Sequence, residues 1–153
     1  MSVAVDKDAS ADAIFRMGQG VLLAQPFSQL LGAELHALEP GQVELQVPIR
    51  DVLLQQNGFA HGGVVSYLAD NALTFAGGTA LRVPVLTSEF KINYIRPAVG
   101  QRLIARARAA HAGRTQAVCV CEVFVVQDGQ EKLCALAQGT IARVSDPSSM
   151  TVS

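Results

Sequence analysis

The sequence predicts an α+β chain: an antiparallel sheet, one long apolar helix buried against it, and a second helix ahead of both. Three observations carry this. Segments alternating between apolar and polar residues follow one another with short turns between them, as in Val43-Glu44-Leu45-Gln46-Val47 and Leu103 to Arg108. The stretch from Val64 to Ala80 is apolar or small at nearly every position and contains no proline, the composition of a helix with no solvent face. Such a helix has to be covered, and a sheet with one apolar face is the element present to cover it. At 153 residues, 50% hydrophobic and 16% charged, the chain is read as one domain over 1–153, with 1–9 and 145–153 as flexible tails.

Taken in order, Ser10 to Ala24 has helical spacing of Ala13, Ile14, Met17 and Val21, with Ser10 or Asp12 as a cap and Pro26 just past its end. Gly32 to Leu38 reads as a short strand and Pro40-Gly41 as a turn. The strand Val43 to Ile49 contains Pro48, which fits an edge position or a strand end. The central helix is expected to stop at Gly77-Gly78, since glycine accepts the left-handed conformation of a helix C-terminus. Strands follow at Val85–Ile95, Arg102–His111, Thr115–Val126 and Lys132–Val144, the last two joined by the Asp128-Gly129 hairpin turn.

The informative stretch runs from Gln55 to Ala72. A polar loop enters the glycine pair Gly62-Gly63 behind His61, and the apolar helix that follows holds one carboxylate, Asp70. Ionised carboxylates are rarely buried without a partner. Two readings fit the pattern. Ser66, Asp70 and Thr74, four apart, form a solvent-facing stripe, or they line a cleft at a subunit surface where Asp70 is held for chemistry. The glycines favour the second. The first turn of a helix has free N–H groups that hold an oxyanion, and glycine lets a carbonyl approach them closely.

These residues carry a resemblance. Gln55, His61-Gly62-Gly63 and Leu68-Ala69-Asp70-Asn71-Ala72 resemble the signature of hotdog-fold acyl-CoA thioesterases, in the PaaI-like (phenylacetyl-CoA thioesterase-related) branch. The likeness continues through Thr87 to Pro97 and covers about residues 30–144. It departs at Gln55, where many relatives have asparagine, and Asn57 comes two residues too late to replace it. The resemblance implies a curled sheet around the central helix and hydrolysis of an acyl-CoA thioester. It also implies no cofactor or metal, and active sites between subunits of a homodimer or homotetramer. By the same resemblance Asp70 is general base or nucleophile, the Gly62 N–H is the oxyanion donor and Gln55 orients the water or the carboxylate. His61 supports the loop or the thioester, and Thr87 approaches the nucleophile across the dimer interface. Gly63 and Asn57 are assigned to substrate contacts. Two other functions share the pocket: a hotdog hydratase or dehydratase, and a non-catalytic acyl-CoA sensor.

Composition bounds the rest. No apolar run reaches membrane-spanning length, and the start, with Asp6, Asp8 and Asp12, is unlike a signal peptide. Cys119, Cys121 and Cys134 sit in strand-like apolar surroundings and read as reduced, buried side chains of a cytoplasmic protein. His36, His61 and His111 lack metal-ligand spacing. The net charge of −1 divides unevenly: residues 1–81 have three basic and eight acidic side chains, residues 82–143 nine and four. No aromatic platform accompanies the basic half, so nucleic acid is not expected. The phosphates of coenzyme A suit it better, with Arg96 and Arg114 as the foremost contacts and Arg102, Arg106 and Arg108 as further candidates. Leu53, Leu54, Phe59, Tyr67 and Phe75 are candidates for an apolar pocket taking medium-chain or aryl groups.

Overall fold

The computed structural model describes residues 10–146, and the expected tails lie outside it except for Ser145 and Asp146. Helix α1 (Ala11–Leu23) begins at Ser10, whose hydroxyl accepts the Ala13 N–H at 3.2 Å. Pro26 does not merely follow this helix. It opens α2 (Pro26–Leu31), because a first helical position leaves its N–H unpaired anyway and proline loses nothing there. Gly32 closes α2 at φ 75, so the expected strand starts later than Gly32, as β1 (Glu34–Glu39).

The other strands are β2 (Gln42–Pro48), β3 (Val85–Tyr94), β4 (Arg102–Ala112), β5 (Gln116–Gln127) and β6 (Gln130–Arg143). They form one antiparallel sheet in the order β1-β2-β4-β5-β6-β3. Pro48 ends β2, where no further ladder bond is asked of it. Asp128 and Gly129, at φ 51 and 79, make the tight β5–β6 turn that their sequence predicts. Along β5 the side chains of Ala117, Cys119, Cys121, Val123 and Val125 are buried on one face, alternating with partly exposed or exposed ones.

That buried face wraps helix α3 (Gly62–Leu81), which packs on β2, β3, β4, β5 and β6. This is the hotdog architecture expected above, with α1 laid against β1. Helix α3 does not stop at Gly77-Gly78. It runs on to Leu81 and is capped by Arg82 in the left-handed conformation, φ 57. Gly77 serves close approach instead. A Cβ on Gly77 would lie 2.6 Å from Ile141 Cβ and 2.7 Å from its Cγ2, well inside van der Waals distance. Phe75, read as a pocket candidate, is fully buried in the core, within reach of the Gly18 position on α1.

Candidate active site

The N-terminus of α3 is built by three residues acting in turn. His61 is the N-cap, and its Nδ1 accepts the Gly63 N–H at 2.8 Å, which requires the proton to sit on Nε2. The ring folds so closely over the turn that a Cβ on Gly63 would lie 2.9 Å from Nδ1, and only glycine fits. The Val64 and Val65 N–H groups both reach the His61 carbonyl, at 3.0 and 3.4 Å. Gly62, the first helical residue, has no intrahelical acceptor for its N–H and no other acceptor among the described residues. Its carbonyl is pinned by the Tyr94 hydroxyl, which donates to it at 3.0 Å.

Gly62 borders a cavity of about 360 Å³ that Gln55, Phe59, Val65, Tyr94 and Arg96 also line. Gln55 is anchored to its own loop through Oε1, which accepts the N–H groups of Asn57 and Phe59, the latter at 3.3 Å, and through its backbone N–H, which donates to the Phe59 carbonyl at 2.8 Å; its Nε2 has no acceptor among the described residues. Asn57 is exposed at the loop tip. A larger groove, about 980 Å³, crosses the outer face of the sheet past Val118, Val120 and Leu136 and contains neither Gly62 nor Asp70.

Asp70 lies two turns along α3, partly buried. Its Oδ1 accepts the Thr87 hydroxyl at 2.7 Å, and Thr87 is also 2.9 Å from the hydroxyl of Thr74. Thr74 is only 7% exposed, so the stripe of Ser66, Asp70 and Thr74 faces the edge strand β3 and is no freely solvated surface. Thr87 reaches Asp70 within the same chain, where the resemblance implied contact across a dimer interface. A bulge in β3 between Thr87 and Glu89 sets it there, opposite Ile141 on β6. No Lys, Arg or His nitrogen of the described residues lies within 4.0 Å of the Asp70 carboxylate.

Beside that stripe on α3 a second polar cluster ties the helix to α2. Tyr67 donates to Ser28 at 2.5 Å, and Asn71 Nδ2 donates to Tyr67 at 3.1 Å and to Gln25 at 3.1 Å. Burial pushes the Tyr67 phenol up, against the lowering effect of Ser28 and Asn71. In sequence Thr74 stood out only as part of the Asp70 stripe and Tyr67 only as an apolar pocket candidate, while Ser28, Gln25 and Tyr94 did not stand out at all. A tyrosine or threonine in an apolar segment reads as core, and only the tertiary partner marks it.

The basic residues do not form one patch. Arg96 is exposed beside the Gly62 cavity. Arg114 is exposed near the other end of β6, where its neighbour Thr115 accepts the Arg143 N–H. Arg102 pairs with Glu34 at 3.1 Å, and Arg106 pairs with Glu131 at 2.6 Å and with Glu44 at 2.8 Å. Those two arginines are therefore committed to carboxylates. Among the described residues no three His, Cys, Asp or Glu side chains gather as a metal site, and no helix is long and apolar enough to cross a membrane.

A carboxylate held by a hydroxyl and an uncommitted amide at a glycine-lined helix start, on a hotdog scaffold, define the class. The chain belongs to the thioesterase superfamily of thioester hydrolases, whose model matches residues 57–132. Within it the likeness is to PaaI-like proteins. The chain is 37% identical to a thioesterase family protein from Silicibacter pomeroyi, covering 80% of this chain and 92% of that one at a TM-score of 0.77. It is 35% identical to a mutant of the phenylacetic acid degradation protein PaaI from Thermus thermophilus, over 78% of this chain and all of that one, at a TM-score of 0.69. It is also 26% identical to the 1,4-dihydroxy-2-naphthoyl-CoA hydrolase of Listeria monocytogenes, over 74% of this chain and 92% of that protein.

Proposed function

We propose that this chain hydrolyses an acyl-CoA thioester to the free acid and coenzyme A in the cytoplasm, without metal or cofactor, as a homo-oligomer with sites shared between two copies. The observation that carries the reading is the uncommitted Gly62 N–H at the mouth of a cavity, on the same helix as a carboxylate held by Thr87. The thioester oxygen accepts from Gly62, and the helix N-terminus favours the negative charge that grows on it. Asp70 takes a proton from water as the water oxygen bonds to the carbonyl carbon; the C–S bond then breaks, and the leaving thiolate recovers the proton. Alternatively the carboxylate bonds to the carbonyl carbon and the C–S bond breaks to release the thiolate; water then cleaves the resulting anhydride, its oxygen passing to the acid, Asp70 returning as carboxylate and a proton going to the thiolate.

Spacing supports the shared site. Eight residues of helix separate Gly62 from Asp70, about 12 Å at about 1.5 Å per residue. The donor must lie within about 3 Å of the carbonyl oxygen and the base within about 3 Å of the water that attacks the same carbonyl, a span shorter than that rise. One copy therefore does not supply both, and the amide of one copy is matched with the carboxylate of another. Strand β3, which holds Thr87, is the sheet edge beside Asp70 and has paired with β6 alone among the described strands. Pairing β3 with a second copy brings the two sites into one dimer.

The test is release of free thiol from a panel of acyl-CoAs, read with a thiol reagent, beside sedimentation of the same sample. The protein's own thiols are silent: burial pushes Cys119 and Cys134 up to about 11 and Cys121 to about 12. Thiol release at a mass that is a multiple of 16.1 kDa supports the proposal. Crotonyl-CoA hydration without thiol release supports a hydratase, binding without turnover supports a sensor, and full activity of a 16.1 kDa monomer refutes the shared site. Asp70→Asn, which keeps an oxygen for Thr87 to donate to but removes the base, should lower kcat at least about a hundredfold.

A further inference from the structure

We propose that Thr74, on the helix behind the carboxylate, is a positioning residue for the hydrolysis: it orients the Thr87 hydroxyl, and through it the Asp70 carboxylate. The inference rests on Asp70 being the reacting group. Its basis is a closed ring of hydrogen bonds. The Thr87 hydroxyl lies 2.7 Å from Asp70 Oδ1 and 2.9 Å from Thr74 Oγ1, and Thr74 Oγ1 lies 2.8 Å from the backbone carbonyl of Asp70.

Proton counting gives the ring a direction. A threonine hydroxyl has one proton to donate and lone pairs to accept. An ionised carboxylate is the stronger acceptor, so the Thr87 proton goes to Asp70 Oδ1. Thr87 then accepts across the 2.9 Å contact, which leaves Thr74 as donor, its proton shared between Thr87 and the Asp70 carbonyl. A hydroxyl that accepts a hydrogen bond donates more strongly, so Thr74 strengthens the bond from Thr87 to Oδ1. The same ring runs from the Asp70 side chain back to the Asp70 main chain and holds the carboxylate in one rotamer. With Oδ1 engaged, Oδ2 is left to face the water or the thioester. Burial helps: at 7% exposure little solvent competes for the Thr74 hydroxyl.

Position alone does not explain the hydroxyl. A threonine in a helix interior commonly bonds the carbonyl four residues back, as Thr79 does to Phe75 at 2.7 Å. Thr74 differs in touching a side chain that itself touches the carboxylate. Valine, of the same shape, fills the site without the proton.

A double-mutant cycle on kcat tests this, using Thr74→Val, Thr87→Val, both together, and Thr74→Ser, with Asp70→Asn alongside. Thr74→Val should lower kcat about five- to tenfold, the effect of weakening one hydrogen bond to a charged group, with KM unchanged. Thr74→Ser should restore most of the loss. Thr87→Val should cost more, and adding Thr74→Val to it should cost nothing further, because Thr74 acts only through Thr87. Multiplying effects in the double variant, a wild-type kcat for Thr74→Val, or no recovery with serine would each overturn the proposal while leaving the Asp70 reading intact. Near-normal turnover of Asp70→Asn would overturn both. Should Thr74→Val lower the melting temperature, the serine variant and the cycle still separate positioning from packing, since lost packing persists without Thr87.

Discussion

Replacing Gly77 with alanine tests how closely the helix must lie on the sheet for the site to form. The added methyl would stand 2.6, 2.7 and 2.8 Å from Cβ, Cγ2 and Cγ1 of Ile141, against an optimal carbon separation of about 3.5–4.0 Å. Ile141 has 0% exposure and cannot swing away, so the helix has to retreat by about 1 Å. Overpacking of this kind costs about 1–3 kcal/mol, and the better helix propensity of alanine returns about 1 kcal/mol. The net loss, about 0–2 kcal/mol, should lower Tm by at most roughly 8 °C for a chain of this size. Gly20→Ala provides the reference, because nothing lies within 4 Å of its Cβ position and only the propensity gain remains. The functional effect should exceed the stability effect. Ile141 is the ladder partner of Thr87, and Gly77 lies seven residues from Asp70, on the same face of α3. A retreat of about 1 Å stretches the 2.7 Å bond from Thr87 to Asp70 beyond hydrogen-bond length, and misplacement by that much costs up to about a hundredfold in rate. Calorimetry and the thiol-release assay would read both. A Gly77→Ala protein as stable as Gly20→Ala, with wild-type kcat, would refute the reasoning.

Two further substitutions bear on the substrate-facing groups. Gly62→Pro should keep the fold, since proline suits the first helical position and His61 at φ −59, ψ 136 already has the conformation required before it; circular dichroism checks this. It should lower kcat about 10²–10³-fold by deleting the N–H, whereas Gly62→Ala, whose methyl would meet Tyr94 at an ordinary 3.5 Å, should cost far less; a folded, fully active proline variant contradicts the donor role. Arg96→Ala should raise KM for acyl-CoA severalfold, less so at high salt, and leave KM for a short acyl-N-acetylcysteamine thioester unchanged. Equal effects on both substrates would remove Arg96 from the nucleotide site, and a raised KM in Arg114→Ala would mean that a second copy brings that remote side chain to it.

The fold was legible because its signals are periodic. Alternation in β2 and β4 follows from one covered face of the sheet, and the unbroken apolar run of α3 from a helix covered on nearly every side. What was misread depends on contacts between distant segments. Gly77-Gly78 has the composition of a helix end, and only Ile141 arriving from β6 shows that Gly77 is there to let helix and strand approach. Pro26 looks like a terminator, although a proline opening a segment that closes at Gly32 is also the pattern of a short helix. The arginines of β4 looked free for phosphate because nothing local pairs them; Glu44 and Glu131 reach Arg106 from the strand beside it and from the end of β6.

The same division runs through the site. Helix spacing put Asp70 and Thr74 on one face, but that pattern fits a solvated stripe as well as a cleft. The bulge that aims Thr87 at both is a matter of register between β3 and β6, which single residues do not encode. The His61-Gly62-Gly63 triplet was legible as a motif without its division of labour. By resemblance His61 supports the loop or the thioester, and its Nδ1 on the Gly63 N–H places it in the loop. That bond settles a second question. By accepting from Gly63, and by placing its carbonyl under Val64 and Val65, His61 uses up the other free amides of the first turn. The remaining N–H, on Gly62, is thereby left without an acceptor among the described residues, eight residues of helix ahead of Asp70. It is this spacing, about 12 Å of helix rise between the unpaired amide and the residue that bears the carboxylate, on which the proposal of a site shared with a second copy rests.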